Sequence, residues 1–131
     1  MGIIIKTPEQ IEGIRKSSQL AGNTLKMIGG FIKEGVSTEY LDNLIEQYMR
    51  DNGAIPATLG YHGYPKSSCI SLNEVVCHGI PSQNTILKEG DILNIDVTTI
   101  LNGYYGDTSK MFSIGEISPK ASNLIEASKH C

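Results

Sequence analysis

Apolar positions change their spacing twice along this chain, and the changes divide it into three stretches. Between Thr7 and Gly30, apolar or small residues recur at Ile11, Ile14, Ser18, Ala21, Leu25 and Ile28. Steps of three and four place them on one side of a helix. Its start is marked: Thr7 can cap, Pro8 suits the first helical position, and Gln10 completes a capping box. Gly29-Gly30 ends it. A second helix starts at Ser37, where Val36 and Leu41 have the spacing of a hydrophobic staple. Its expected buried stripe is Leu41, Leu44, Ile45 and Tyr48, and Asn52-Gly53 closes it.

Beyond Gly53 the pattern is no longer helical. Gly60, Gly63 and Pro65, interleaved with Tyr61, His62 and Tyr64, predict a loop. Ser68–Leu72 and Glu74–Cys77 read as short strands, and Ile92–Leu101 and Tyr104–Phe112 as long ones. Asn102-Gly103 between the last two is the favoured dipeptide of a two-residue hairpin turn. Ser118-Pro119 then opens a third helix with Leu124 and Ile125 on one face. Helices, then antiparallel strands, then a helix make the class α+β. The third helical pattern meets no Gly, Pro or capping signal between Ala121 and Cys131. Residues 1–131 are therefore expected to form a truncated domain. No internal repeat or low-complexity segment is visible.

Composition narrows the partners. The 131 residues are 40% hydrophobic and 19% charged, with 14 Gly and 5 Pro, as in ordinary globular chains. The net charge is −3 and no Lys/Arg stripe is present, so direct binding of nucleic acid is not expected. Cys69, Cys77 and Cys131 form an odd set without a CxxC spacing, which points to free thiols rather than a disulfide framework or structural zinc. Ile3-Ile4-Ile5 is too short for a signal sequence, and no run approaches the ~20 apolar residues of a membrane span. Lys6 stands where a myristoylation motif wants Ser or Thr. The expected location is the cytoplasm, with no membrane partner.

The chemistry centres on the predicted hairpin. With Asn102-Gly103 as the turn, Leu101 faces Tyr104, Thr98 faces Asp107 and Asp96 faces Ser109. Asp96 and Asp107 become diagonal neighbours on one face, roughly 7–8 Å apart at Cα. Asp at strand ends often lies in solvent or caps a turn, but Asp96 interrupts Ile92, Leu93, Ile95 and Val97, the most apolar strand of the chain. Two close carboxylates repel, and burying them unpaired is costly. A divalent cation relieves both problems, and hard oxygen donors suit Mn, Fe or Co. His78, where a strand breaks into a loop, is either a satisfied structural residue or a hydrogen-bond partner for substrate at the mouth of the site. A Cys77–His78 nucleophilic pair is disfavoured, because neighbours on a strand point to opposite faces. Tyr61, His62 and Tyr64 beside Cys69 form either a surface loop or a soft-walled pocket for a flexible thioether such as methionine.

At these residues the chain resembles the type I methionine aminopeptidases of bacteria. The carrying segments are Leu59-Gly60-Tyr61-His62-Gly63-Tyr64-Pro65-Lys66-Ser67, Ser71-Leu72-Asn73-Glu74-Val75-Val76-Cys77-His78-Gly79-Ile80-Pro81, Asp91-Ile92-Leu93-Asn94-Ile95-Asp96-Val97-Thr98 and Gly106-Asp107-Thr108-Ser109-Lys110-Met111-Phe112. The resemblance runs from Lys6 into the last helix. It implies the amino-terminal half of a pita-bread fold, whose two halves share a site for two divalent ions (Co, Mn, Fe or Zn). It also implies Asp96 as ligand to one metal, Asp107 as a bridge, and His78 as the residue that hydrogen-bonds substrate near the scissile amide. Tyr61, His62, Tyr64 and Cys69 would line the methionine pocket, and Asn73 and Val75 would offer backbone oxygens to a monovalent ion.

The implied activity is removal of the N-terminal Met of nascent polypeptides when the second residue is small, by an enzyme monomeric when complete. The family's remaining ligands, a His and two Glu, and its second catalytic His belong to a carboxy-terminal half that these residues do not include. His130 matches none of those motifs, and Thr58 stands where some relatives have cysteine. The alternatives are an inactive or partner-dependent fragment of such an enzyme, a proline-type dipeptidase, and a metal-free binding module of the same fold.

Overall fold

The computed structural model describes residues 2–130. Helix α1 (Pro8–Gly29) begins as expected, with the Thr7 side chain accepting from the Gln10 backbone and the Gln10 side chain accepting in return. Its buried face is Ser17, Leu20, Ala21, Thr24, Leu25 and Ile28, so the stripe runs through Ser17 and not Ser18, which is exposed along with Ile11. Backbone approach is the reason. At its amino-terminal half the helix lies so near the hairpin that only small residues fit between them.

Helix α2 (Thr38–Asp51) is capped by Ser37. It buries Leu41 and Ile45 as expected, but Met49 and Asp42 complete the face in place of Leu44 and Tyr48, which are half-buried. Next come strands β1 (Ile55–Pro56), β2 (Cys69–Leu72), β3 (Ile92–Leu101) and β4 (Tyr104–Ser113), then helix α3 (Pro119–Lys129). Strand β1 was not expected. Two residues pair at a sheet edge and Pro56 breaks their pattern, so no alternation announces them.

Strand β3 is central. It pairs antiparallel with β4 over its whole length, and its other edge takes β2 and β1 end to end. The register is the expected one, with Leu101 opposite Tyr104, Thr98 opposite Asp107 and Asp96 opposite Ser109. Asn102 and Gly103 both have positive φ, 51° and 81°, as a type I′ turn demands.

Glu74–Cys77 is not a strand. Asn73 turns the chain at φ 49°, and its side-chain Oδ1 accepts from Ile92 N at 3.1 Å, which ends the ladder. The four residues that follow have no strand partner, and Val76 is 94% exposed. The strand-based separation of Cys77 from His78 therefore loses its premise, since both lie in a loop where His78 has φ 54°.

One face of the sheet carries the core. Leu93, Ile95 and Val97 point to it and pack with Leu20, Ala21, Leu25 and Ile28 of α1 and Leu41, Ile45 and Met49 of α2. The opposite face carries Asn94, Asp96 and Thr98, none fully buried. Helix α3 starts at its Ser118 cap, but it buries no residue and Leu124 is 59% exposed. Among the described residues no helix is long and apolar enough to cross a membrane.

Candidate functional site

The two carboxylates of the hairpin meet on the face away from α1 and α2. Residues directly opposite share a face, so Asp107, opposite Thr98, joins Asp96 there. Asp96 is half-buried and Asp107 exposed. Burial is the main force raising the Asp96 carboxyl above its ordinary range; the neighbouring Asp107 charge and a hydrogen bond with it add to the shift, and His78 opposes it. Asp96 on β3 thus feels both Asp107 from β4 and His78 from the loop after β2.

Strand β2 brings a second set to the same face. Cys69 stands directly opposite Asp96. It is 7% exposed, and burial holds its thiol above the usual range; a hydrogen bond with Tyr64 acts the other way, and the Asp96 charge raises it again. The Tyr64 hydroxyl lies 3.0 Å from the Ser68 carbonyl and 3.1 Å from that of Gly79, so its proton is shared between two acceptors. Burial above all, with Cys69 beside it, pushes the Tyr64 phenol far above its usual range.

The loop before β2 completes a cleft of about 480 Å³ lined by Thr58, Tyr61, His62, Gly63, Tyr64, Pro65, Cys69, His78 and Ile80. Positive φ at Gly60, His62 and Gly63 folds the loop over, and the Tyr61 and His62 rings meet edge to face, centroids 4.4 Å apart. All the expected pocket residues border this cleft, and Cys69 joins it to the carboxylates. A larger cleft of about 690 Å³ lies between β4 and α3, lined by Asn94, Ser109, Met111, Ile125 and Glu126 among others. It contains no second carboxylate pair and none of the expected site residues.

Asn73 has a structural task, donating from Nδ2 to Asp91 at 2.9 Å while it caps the ladder at Ile92. Cys131 lies outside the described residues; Cys69 and Cys77 are free thiols, the first buried and the second exposed. His130 is at the end of α3.

Sequence reasoning missed what fastens the loop. Asp42 on α2 accepts from Ser67 N at 3.1 Å and from Ser68 Oγ at 2.7 Å, Glu46 accepts from Ser67 Oγ at 2.6 Å, and Lys66 pairs with Glu39. A signal was present: Asp42 sits beside Leu41 in the apolar stripe, and Glu39, Asp42 and Glu46 have helical spacing.

Among the described residues no group of three or more His, Cys, Asp or Glu converges on one point that could hold a metal ion. In kind, the donors present suit a hard divalent cation, since two mutually repelling carboxylates share one face. In number they fall short, because two residues do not fill a coordination sphere.

Known proteins share the sequence and the fold of this chain. Residues 12–131 match the model of metallopeptidase family M24. The methionine aminopeptidase of Escherichia coli (strain K12) is 56% identical over 117 residues, 88% of this chain and 44% of that protein. The methionine aminopeptidase of Haemophilus influenzae is 49% identical over 131 residues, 98% of this chain and 49% of that protein. The crystal structure of methionine aminopeptidase from Rickettsia prowazekii superposes with a TM-score of 0.93 at 46% identity, covering 95% of this chain and 50% of that one. The chain thus spans about half the length of the relatives it matches, and it has their fold.

Proposed function

The chain belongs to metallopeptidase family M24, and from that membership we propose that it is the first half of a methionine aminopeptidase catalytic domain. Its 131 residues would supply the carboxylates and the methionine pocket of an enzyme that trims N-terminal Met from nascent polypeptides with a small second residue. One juxtaposition carries the reading: Asp96 shares a face with Asp107 and stands opposite Cys69, in the wall of an aromatic cleft.

In this reading Asp96 and Asp107 hold divalent ions (Co, Mn, Fe or Zn), two in the complete site. Bound there, a divalent cation supplies Lewis-acid polarisation of the amide carbonyl. The chain's own residues do the rest of what this half contributes. Tyr61, His62, Tyr64 and Cys69 enclose the thioether, because a polarizable sulfur packs well on aromatic edges and a soft thiol. Burying the methionine side chain fixes the amide that follows it at the open end of the cleft. His78, which lines the cleft, hydrogen-bonds the substrate beside the scissile bond in this reading. The reading sets the enzyme in the cytoplasm and makes it a monomer when complete, without nucleic-acid or membrane partners.

Two carboxylates bind a cation weakly and orient it poorly. The 131 residues alone are therefore expected to release little or no methionine from a Met-Ala-Ser peptide with added Co or Mn. Joined in one polypeptide to the carboxy-terminal half of the Escherichia coli relative, they are expected to release it, and Asp96→Ala or Asp107→Ala to abolish release. A folded chimera without methionine release would sink the functional reading. Robust turnover by the 131 residues alone, abolished by Asp96→Ala, would show that the half-site suffices.

A further inference from the structure

Helix α2 grips the cleft's loop through a row of carboxylates. Glu39, Asp42 and Glu46 are three and four residues apart, so they line one side of the helix. They engage consecutive loop residues: Lys66 pairs with Glu39, Ser67 bonds both Asp42 and Glu46, and Ser68 bonds Asp42. Glu46 is braced in turn by Arg50 at 2.7 Å. Asp42 is the member taken out of water, 2% exposed beside the fully buried Leu41 and Ile45.

A carboxylate at such a place costs desolvation that a neutral side chain would not. Its two partners show what the charge does there. Ser68 immediately precedes Cys69, and the Ser68 carbonyl accepts from the Tyr64 hydroxyl. The Thr58 hydroxyl closes the other side of the loop on the Lys66 carbonyl at 3.1 Å. Two walls of the cleft, Tyr64 and Cys69, therefore hang from the backbone that Asp42 holds.

We propose that Asp42 is a positioning residue for the cleft, fixing the seat of Cys69 and Tyr64 through Ser67 and Ser68, with Glu39 and Glu46 as supports. The proposal deepens the reading of this cleft as the methionine pocket and rests on it only for the identity of the occupant. A carboxylate rather than an amide at this position gives two acceptor oxygens and charge-assisted bonds, which hold a loop more firmly than neutral ones.

The test is alkylation of the Cys69 thiol by iodoacetamide, with exposed Cys77 as internal reference and both followed by peptide mass spectrometry. It is run where circular dichroism shows each variant folded. Loss of buried bonds to a charged acceptor makes local opening easier, so Asp42→Ala should raise the Cys69-to-Cys77 rate ratio about tenfold. Asp42→Asn keeps one acceptor oxygen and should stay within about threefold. Ser68→Ala, made from the loop side, should move the ratio in the same direction and add nothing on top of Asp42→Ala.

A residue that merely stabilised the fold would lower the unfolding midpoint and leave the native-state ratio alone. An unchanged ratio in folded Asp42→Ala overturns the proposal; should that variant fail to fold, an unchanged ratio in Ser68→Ala does so. The occupant is tested separately, by protection of Cys69 with a Met-Ala dipeptide in the unmodified chain. Absence of protection removes the methionine reading of the cleft, and the thiol ratio still decides the part played by Asp42.

Discussion

Gly106 is the residue on which the contact between α1 and the sheet turns. A Cβ there would stand 2.3 Å from the Ser17 carbonyl carbon and 2.4 Å from Ser18 N, both backbone atoms of a helix that cannot yield locally. Around this contact the Thr99 hydroxyl donates to the Ser17 carbonyl at 2.9 Å and lies 2.9 Å from the Ser17 hydroxyl, so the approach is polar as well as close. Gly106→Ala should therefore destabilise the chain by about 1–3 kcal/mol, the usual cost of overpacking. Gly22, within the same helix, has open space where its Cβ would be, so Gly22→Ala should stabilise by roughly 0.5–1 kcal/mol. Urea unfolding of both variants checks the pair, and equal shifts of the same sign would contradict the packing. The thiols offer a second contrast at this scale. Cys77 is exposed, whereas Cys69 is buried with its thiol pushed up, so Cys77 should alkylate first near neutral pH. Faster reaction at Cys69 would mean that the cleft is open where it is drawn closed.

At the scale of elements, α2 sets the loop and the hairpin sets the carboxylates. Burial is the main cause of the raised carboxyl of Asp42, outweighing the Ser68 and Ser67 bonds and the Lys66 charge that lower it. The folded chain then holds the Asp42 proton more tightly than the unfolded chain does, so ionisation costs stability. The penalty is absent below the ordinary value of 3.8 and grows as pH rises above it, until Asp42 is ionised in the folded state. Unfolding free energies of Asp42→Asn and the unmodified chain should therefore diverge in favour of the variant as pH rises through that window. A difference independent of pH would mean that the carboxylate carries no net burial penalty.

The hairpin was legible because Asn102-Gly103 fixes the turn and the turn fixes the register of every pair behind it. Capping chemistry likewise located the starts of α1, α2 and α3. What was not legible depended on tertiary contact. Ser17 and Ser18 look alike until Thr99 bonds the hydroxyl and carbonyl of Ser17. Glu74–Cys77 has strand-forming residues but loses its partner when Asn73 bonds Ile92. Asp42 reads as surface until Ser67 and Ser68 fold back onto it from 25 and 26 residues away.

Across the whole molecule, α1 and α2 cover one face of the sheet, while the other carries Asp96, Asp107 and the cleft and has α3 beside its β4 edge. In the proposed half-site the further ligands would approach over this carboxylate-bearing face, which α1 and α2 do not cover. The measurement that tests the central claim most directly is titration of the 131-residue chain with Mn²⁺, followed by electron paramagnetic resonance of the free ion. The account predicts weak but specific uptake that Asp96→Asn and Asp107→Asn each weaken by at least about tenfold, with little further loss in the double variant, since the two carboxylates act on one ion. Uptake unchanged in both single variants, with the fold intact, would contradict it.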